Sequence, residues 1–312
     1  MTKTEFIEAK KGLLIDKEEK IENERDNLRK QKEILREQKK EFKRIKKLYN
    51  DEYIAKKQFL KNDFLGNHQV ETKIKEKYLS IDEIAALREK QKLPFYLRSE
   101  EIFNMVTHIV GGGLSFIGMI LSVIFTIIYK NSDWLTIISM LVFGVASITL
   151  YSISSIYHGL RINKGKSVFQ VLDHCTIYIL IAGTYFPVTL LGLDNIFPYN
   201  IVLLAVVIIL ATLGVVLNAT MMRKKIVKVI SMVLYIAIGW GVIGFYPFMV
   251  DGNMGFNGTW LLIGGGIAYT VGSILYGIGS KKRYWHSIFH IFVDIGTILQ
   301  FLSVFLYCVI GL

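Results

Sequence analysis

Four ionisable side chains in this sequence sit where lipid-like sequence surrounds them, and their types and spacing suit metal chemistry. His286 and His290 are four residues apart in an apolar stretch. On a helix that spacing puts both rings on one face, the usual helical way of offering two imidazoles to one metal. His158 closes a second apolar stretch and Asp173 opens a third. Ser154, one helical turn before His158, shares its face. Three imidazoles without a fourth protein ligand are the donor set of a catalytic zinc site, where water fills the open position. Asp173 is placed to orient that water, to accept its proton, or to hold a ligand histidine in one tautomer. His174 lies about 100° around a helix from Asp173 and is expected to face elsewhere. Glu101, Asn104 and His108, spaced three and four apart, form a further polar stripe, for which helix capping and a functional role are equally open. Ser99 is the expected N-cap just before it.

These groups need rigid elements to bring them together, and the sequence supplies seven. A membrane-spanning helix takes about 20 apolar residues, and runs of that kind cover 103–129, 133–157, 171–192, 199–220, 229–249, 257–278 and 285–310. The second, fourth and sixth breaks between them carry three, four and three Lys or Arg; the first, third and fifth carry one, none and none. Short basic loops stay in the cytoplasm. The expected topology is therefore N-terminus inside, seven spans, C-terminus outside. His158 and His286 each lie three residues from a cytoplasmic basic residue, and Asp173 and His290 seven. At 1.5 Å per residue these are depths of about 5 and 10 Å. The four groups, from three spans, share one layer of the inner leaflet. Ionisable residues at such depths are costly and mark function by default. Small residues at Gly111–Gly113 and Gly264–Gly266 suit close helix approach, and Pro187 is expected to kink the third span.

Charge divides the chain. Residues 1–100 hold 46 of its 63 charged residues. The net charge of +11 is read as topology-setting loop charge, not as a nucleic-acid surface. Cys175 and Cys308 lie in apolar runs, which excludes a disulfide scaffold, and the charged first 25 residues lack the apolar core of a cleavable signal peptide. The expected domains are a helical cytoplasmic extension over 1–98 and a membrane domain over 99–312. In the extension, Ile7, Leu14, Ile21, Leu28, Leu35, Phe42 and Tyr49 recur every seven residues, but the second core position is mostly charged. This predicts a long helix with at most a weak self-association seam. Ser80 and Glu83 form a capping box for a second short helix over 81–92.

Taken in order, Glu101-x2-Asn104-x3-His108, Ser154-x3-His158, Asp173, Ala182-Gly183-Thr184-Tyr185-Phe186-Pro187 and His286-x3-His290 resemble the hemolysin III family of the progestin and adiponectin receptor superfamily. The resemblance covers about 99–312. It implies a seven-helix, all-α, N-inside protein of the cell membrane with a cytoplasm-facing Zn2+ site, in which His158, His286 and His290 are ligands and Asp173 and Ser154 lie beside the metal. Alkaline ceramidases, related zinc membrane proteins, hydrolyse an amide, so the expected function is hydrolysis of a lipid amide or ester. Asp173 would take the proton and Ser154 steady the oxyanion. The alternative is a non-enzymatic membrane regulator, receptor or cytolytic pore with structural zinc. The expected partner is a membrane lipid, as substrate or ligand. Asp294 and Gln300 depart from the family's apolar pattern, and Asp294, one turn past His290, is expected to face the same cavity.

Overall fold

The computed structural model describes residues 93–94, 96–279 and 283–312, with scattered positions between 22 and 36. Two compact units divide the chain, Met1–Leu79 and Ser80–Leu312. In the first, the described positions are helical, and Arg29 pairs with Asp26 at 3.4 Å on an exposed face. The heptad seam as a whole and the capping box at Ser80 with its helix over 81–92 lie outside the described residues.

The second unit is a helix bundle, with no strand among the described residues. Its helices are α1 (Arg98–Tyr129), α2 (Trp134–Gly159), α3 (Lys164–Leu190), α4 (Tyr199–Met221), α5 (Lys225–Trp240), α6 (Tyr246–Asp251), α7 (Gly255–Gly279) and α8 (Trp285–Val304). α5, a 3-10 turn over Gly241–Phe245 and α6 make one crossing, so seven segments are long and apolar enough to span a membrane. Pro247, in the first turn of α6, has no backbone N–H to donate and fits where the helix restarts. α8 runs on through a π turn over Phe305–Ile310.

Each of the first four helices packs on its successor, α7 packs on α8, and α8 returns against α1, which closes the bundle. α3 reaches α2, α4, α5 and α8. The apolar windows of α2, α3 and α8 are 50%, 50% and 44% buried, against 22% for α1 and 17% for the α5–α6 crossing. The three inner helices are those that carry His158, Asp173, His286 and His290. On α1 the outward Ile109, Val110, Ile117 and Ile128 are each more than half exposed, as lipid-facing residues are.

Several helices begin earlier than their apolar runs. α1 starts at Arg98 rather than 103, and α3 at Lys164 rather than 171. An apolar run marks hydrocarbon thickness, whereas a helix continues into the interface, where caps and water satisfy its end. Asn163 is such a cap, accepting from the Lys166 amide at 2.9 Å. Ser99 is not. The N-cap of α1 is Leu97, whose amide donates to Glu100 Oε2 at 2.7 Å, while the Ser99 hydroxyl bonds that of Tyr284 at 3.0 Å. Pro187 falls in the last turn of α3, and the Leu191 amide closes on its carbonyl at 3.0 Å. The glycine expectation holds unevenly. A Cβ on Gly265 of α7 would stand 2.9 Å from the Gly296 carbonyl of α8, whereas Gly113 of α1 faces open space.

Candidate metal centre

The centre forms where the end of α2 meets the start of α8. His158 is the penultimate residue of α2; His286 and His290 lie on the first turns of α8. All three are buried, at 2%, 8% and 1% exposure. His286 Nε2 lies 3.4 Å from His158 Nε2 and 3.1 Å from His290 Nε2. One donor atom from each of the three falls within 4.8 Å of the others. Nitrogens bound to one tetrahedral zinc lie about 3.3 Å apart, for Zn–N bonds of about 2.05 Å. Two of the three separations match that spacing, so the three residues could hold a metal ion.

The tautomer of His158 supports the fit. Its Nδ1 lies 2.8 Å from Glu101 Oε2, and Asn104 Nδ2 approaches the same nitrogen at 3.5 Å. A carboxylate only accepts, so Nδ1 carries the proton, and in the neutral ring Nε2 then has its lone pair on the side of the other two rings. A carboxylate behind a ligating imidazole is the usual support of a zinc histidine. The Nδ1 atoms of His286 and His290 have no hydrogen-bond partner among the described residues.

The Glu101–Asn104–His108 stripe faces this cluster. His108 stacks on His290, ring centroids 3.8 Å apart, and neither of its nitrogens has a hydrogen-bond partner among the described residues. Ser154 and Asp173 line a cavity of about 140 Å³ together with His286 and His290. Its walls are largely apolar, with Ile177, Leu180, Ile181, Ile236, Phe289 and Val293, and Lys228 also lines it. Gln300 lines it as well, ten residues past His290, so it extends about 15 Å along α8.

Two expectations need correction. His174 does not face away: it lines the same cavity and lies 3.4 Å from the Tyr276 hydroxyl, because a cavity this wide takes in more than one face of α3. It is not one of the three clustered histidines. Asp294 does not line the cavity. Its Oδ1 lies over Gly111 of α1, where an added Cβ would come within 2.5 Å of it, and that oxygen is buried without a hydrogen-bond partner among the described residues. One helical turn past His290 still leaves a rotation of about 40°, enough to move Asp294 to the α1–α8 seam.

Two residues at the centre carried no sequence signal. Tyr96, ahead of α1, stacks on His286 with centroids 4.8 Å apart and planes 19° from parallel. Lys166 had the look of a loop cation. It is buried at 3% exposure, with Nζ 3.1 Å from Glu101 Oε1.

Comparison with known proteins gives this arrangement a family. Residues 96–301 match the family described as "Haemolysin-III related". The chain belongs to the haemolysin-III family. The "Hemolysin-3 homolog" of Bacillus subtilis (strain 168) is 36% identical over 212 residues, 67% of this chain and 95% of that protein. The "Hemolysin-3" of Bacillus cereus is 34% identical over 208 residues, 67% of this chain and 91% of that protein. Both relatives are matched over nearly their whole length. The family match takes in every histidine of the centre, together with Glu101, Ser154, Lys166 and Asp173, and it begins at Tyr96 itself.

Proposed function

We propose that this multi-pass membrane protein holds Zn2+ on His158, His286 and His290 at the cytoplasmic end of its bundle, and that it hydrolyses an amide or ester bond of a membrane lipid. The observation that carries the reading is the convergence of three imidazole Nε2 atoms, two of them on His286 and His290, which also line a largely apolar cavity. Zinc bound there would supply a Lewis acid and a water whose pKa falls toward about 7. The protein's own groups do the rest. The apolar walls take the lipid chain and exclude bulk water. Glu101 keeps the proton on His158 Nδ1. Asp173, on the cavity wall, accepts the proton released as the nucleophile attacks and returns it to the leaving group. The Ser154 hydroxyl donates to the developing oxyanion. Loop charge supports a cytoplasmic position for this end of the bundle and for the N-terminus, with the C-terminus outside the cell.

The name hemolysin-3 carried by the two Bacillus relatives favours a second reading, a cytolytic pore or other non-enzymatic membrane protein in which the metal is structural. One experiment separates them. The purified protein is analysed for metal and incubated with lipid amides and esters in vesicles. About one zinc per chain and release of free fatty acid, abolished in Asp173→Asn at unchanged zinc content, supports the hydrolase. Zinc with vesicle leakage and no cleavage supports the pore.

A further inference from the structure

Lys166 occupies a place that its own helix does not favour. It lies in the first turn of α3, three residues after the N-cap Asn163. That end of a helix carries partial positive charge and disfavours a cation. Burying an ammonium costs more still unless it is paired and hydrogen-bonded. Its partners lie on other elements. Nζ donates to the carbonyls of Tyr157 at 2.8 Å, Leu160 at 3.1 Å and His158 at 3.4 Å, the negative C-terminal end of α2. It also lies 3.1 Å from Glu101 Oε1 on α1. The other oxygen of that carboxylate is 2.8 Å from His158 Nδ1. Lys166, Glu101 and His158 therefore form one buried line across three helices, and its far end is the Nε2 that joins the histidine cluster.

The charges along this line explain its order. The Glu101 side chain is 8% exposed and that of Lys166 4%, so neither is screened by water. A buried carboxylate beside a neutral imidazole has no counter-charge, and removing one partner of a buried pair is far more disruptive than removing both. With Lys166 in place, Oε1 is fixed on Nζ and only Oε2 is left to His158. That fixes the carboxylate's rotation and hence which ring nitrogen carries the proton.

We propose that Lys166 is a positioning residue of the three-histidine centre: it holds the Glu101 carboxylate in the orientation that keeps the proton on His158 Nδ1 and leaves Nε2 free to bind metal. This rests on the reading of the three histidines as a metal site. A purely structural role, in which Lys166 only caps α2, predicts a different pattern, because a cap does not depend on Glu101.

The experiment is a double-mutant cycle read as zinc affinity, by competition with a chromophoric chelator, on full-length protein in detergent. Wild type, K166M, E101Q and K166M/E101Q are compared. The amide oxygen introduced by E101Q still accepts from Nδ1–H but carries no charge. K166M alone is expected to weaken zinc binding about 10- to 100-fold, the range for loss of a ligand's support. In the E101Q background the same Lys166 replacement is expected to change affinity by less than about threefold, since the interaction it served is gone. Unchanged affinity in K166M overturns the proposal. So does a tenfold or larger loss in K166M/E101Q relative to E101Q, which assigns Lys166 to capping. That second comparison involves no unpaired buried carboxylate and decides the matter even if K166M alone does not fold. Wild-type protein without zinc affinity overturns the metal reading itself, and the proposal with it.

Discussion

At the scale of residues, the centre is a set of unequal contributions. His158, His286 and His290 each bring a ring nitrogen to one small region, with Nε2 contacts of 3.4 and 3.1 Å. Replacing any one by Ala is expected to remove most of the bound zinc, because a three-ligand site loses a third of its donors. On the hydrolase reading, Ser154→Ala is expected to keep its zinc and lose about 10²- to 10³-fold in turnover, the usual cost of one oxyanion donor. His174→Ala is the informative control, since His174 shares the cavity but not the cluster, and it is expected to bind zinc like wild type. Zinc stoichiometry and turnover across these purified variants check all three statements, and full zinc retention in His286→Ala would remove the site.

At the scale of elements, the bundle places the centre by packing α3 closely on α2 and setting α8 against α1 and α3. Gly183 shows how close. A Cβ there would collide with the Ala146 Cβ on α2 and stand 3.4 Å from the Val142 carbonyl. Gly183→Ala is expected to force these helices apart and to destabilise the protein by about 1–3 kcal/mol, the usual range for an overpacked core. Adding Ala146→Gly, which removes the colliding methyl, is expected to restore most of that loss. Melting temperatures in detergent test the pair, and an unaltered single variant would show that the seam yields freely. This contact also marks what the sequence makes legible. The seven spans follow from apolar length, and His286 with His290 from a spacing internal to one helix. Ser154 and His158 share a face for the same reason. Lys166 and Tyr96 act across helices, and no local spacing reports that. Lys166 reads as loop charge because its partners stand far back in the chain, at Glu101, and on the preceding helix. Asp294 reads as a cavity residue because spacing alone ignores the rotation of about 40° that a helical turn leaves over.

At the scale of the whole molecule, the described residues of the centre all fall in the membrane unit. Every side chain of the cluster and its supports lies between Tyr96 and His290, within the family match. The segment ahead of α1 takes part through Tyr96, and Glu100 ties it down by accepting from the amides of Leu97 and Tyr284. A truncation must therefore spare it. Deleting residues 1–90 is expected to leave a folded protein with wild-type zinc content, whereas deleting 1–97, which removes the ring on His286, is expected to weaken zinc binding. Comparing metal content and melting temperature of the two separates the charged extension from the strap. Orientation is tested on the same molecule. An odd number of crossings puts the two chain ends of the bundle on opposite sides, and ten Lys and Arg residues in alternate breaks favour the cytoplasm for the side that carries them. A reporter at the C-terminus is expected to read outside the cell, and reporters within 161–166 or 223–228 inside. A cytoplasmic C-terminus would require an even number of crossings or the opposite insertion. The first breaks the bundle that brings α8 to α2, and the second moves the whole centre to the outer face, where its zinc would come from the medium rather than the cytoplasm.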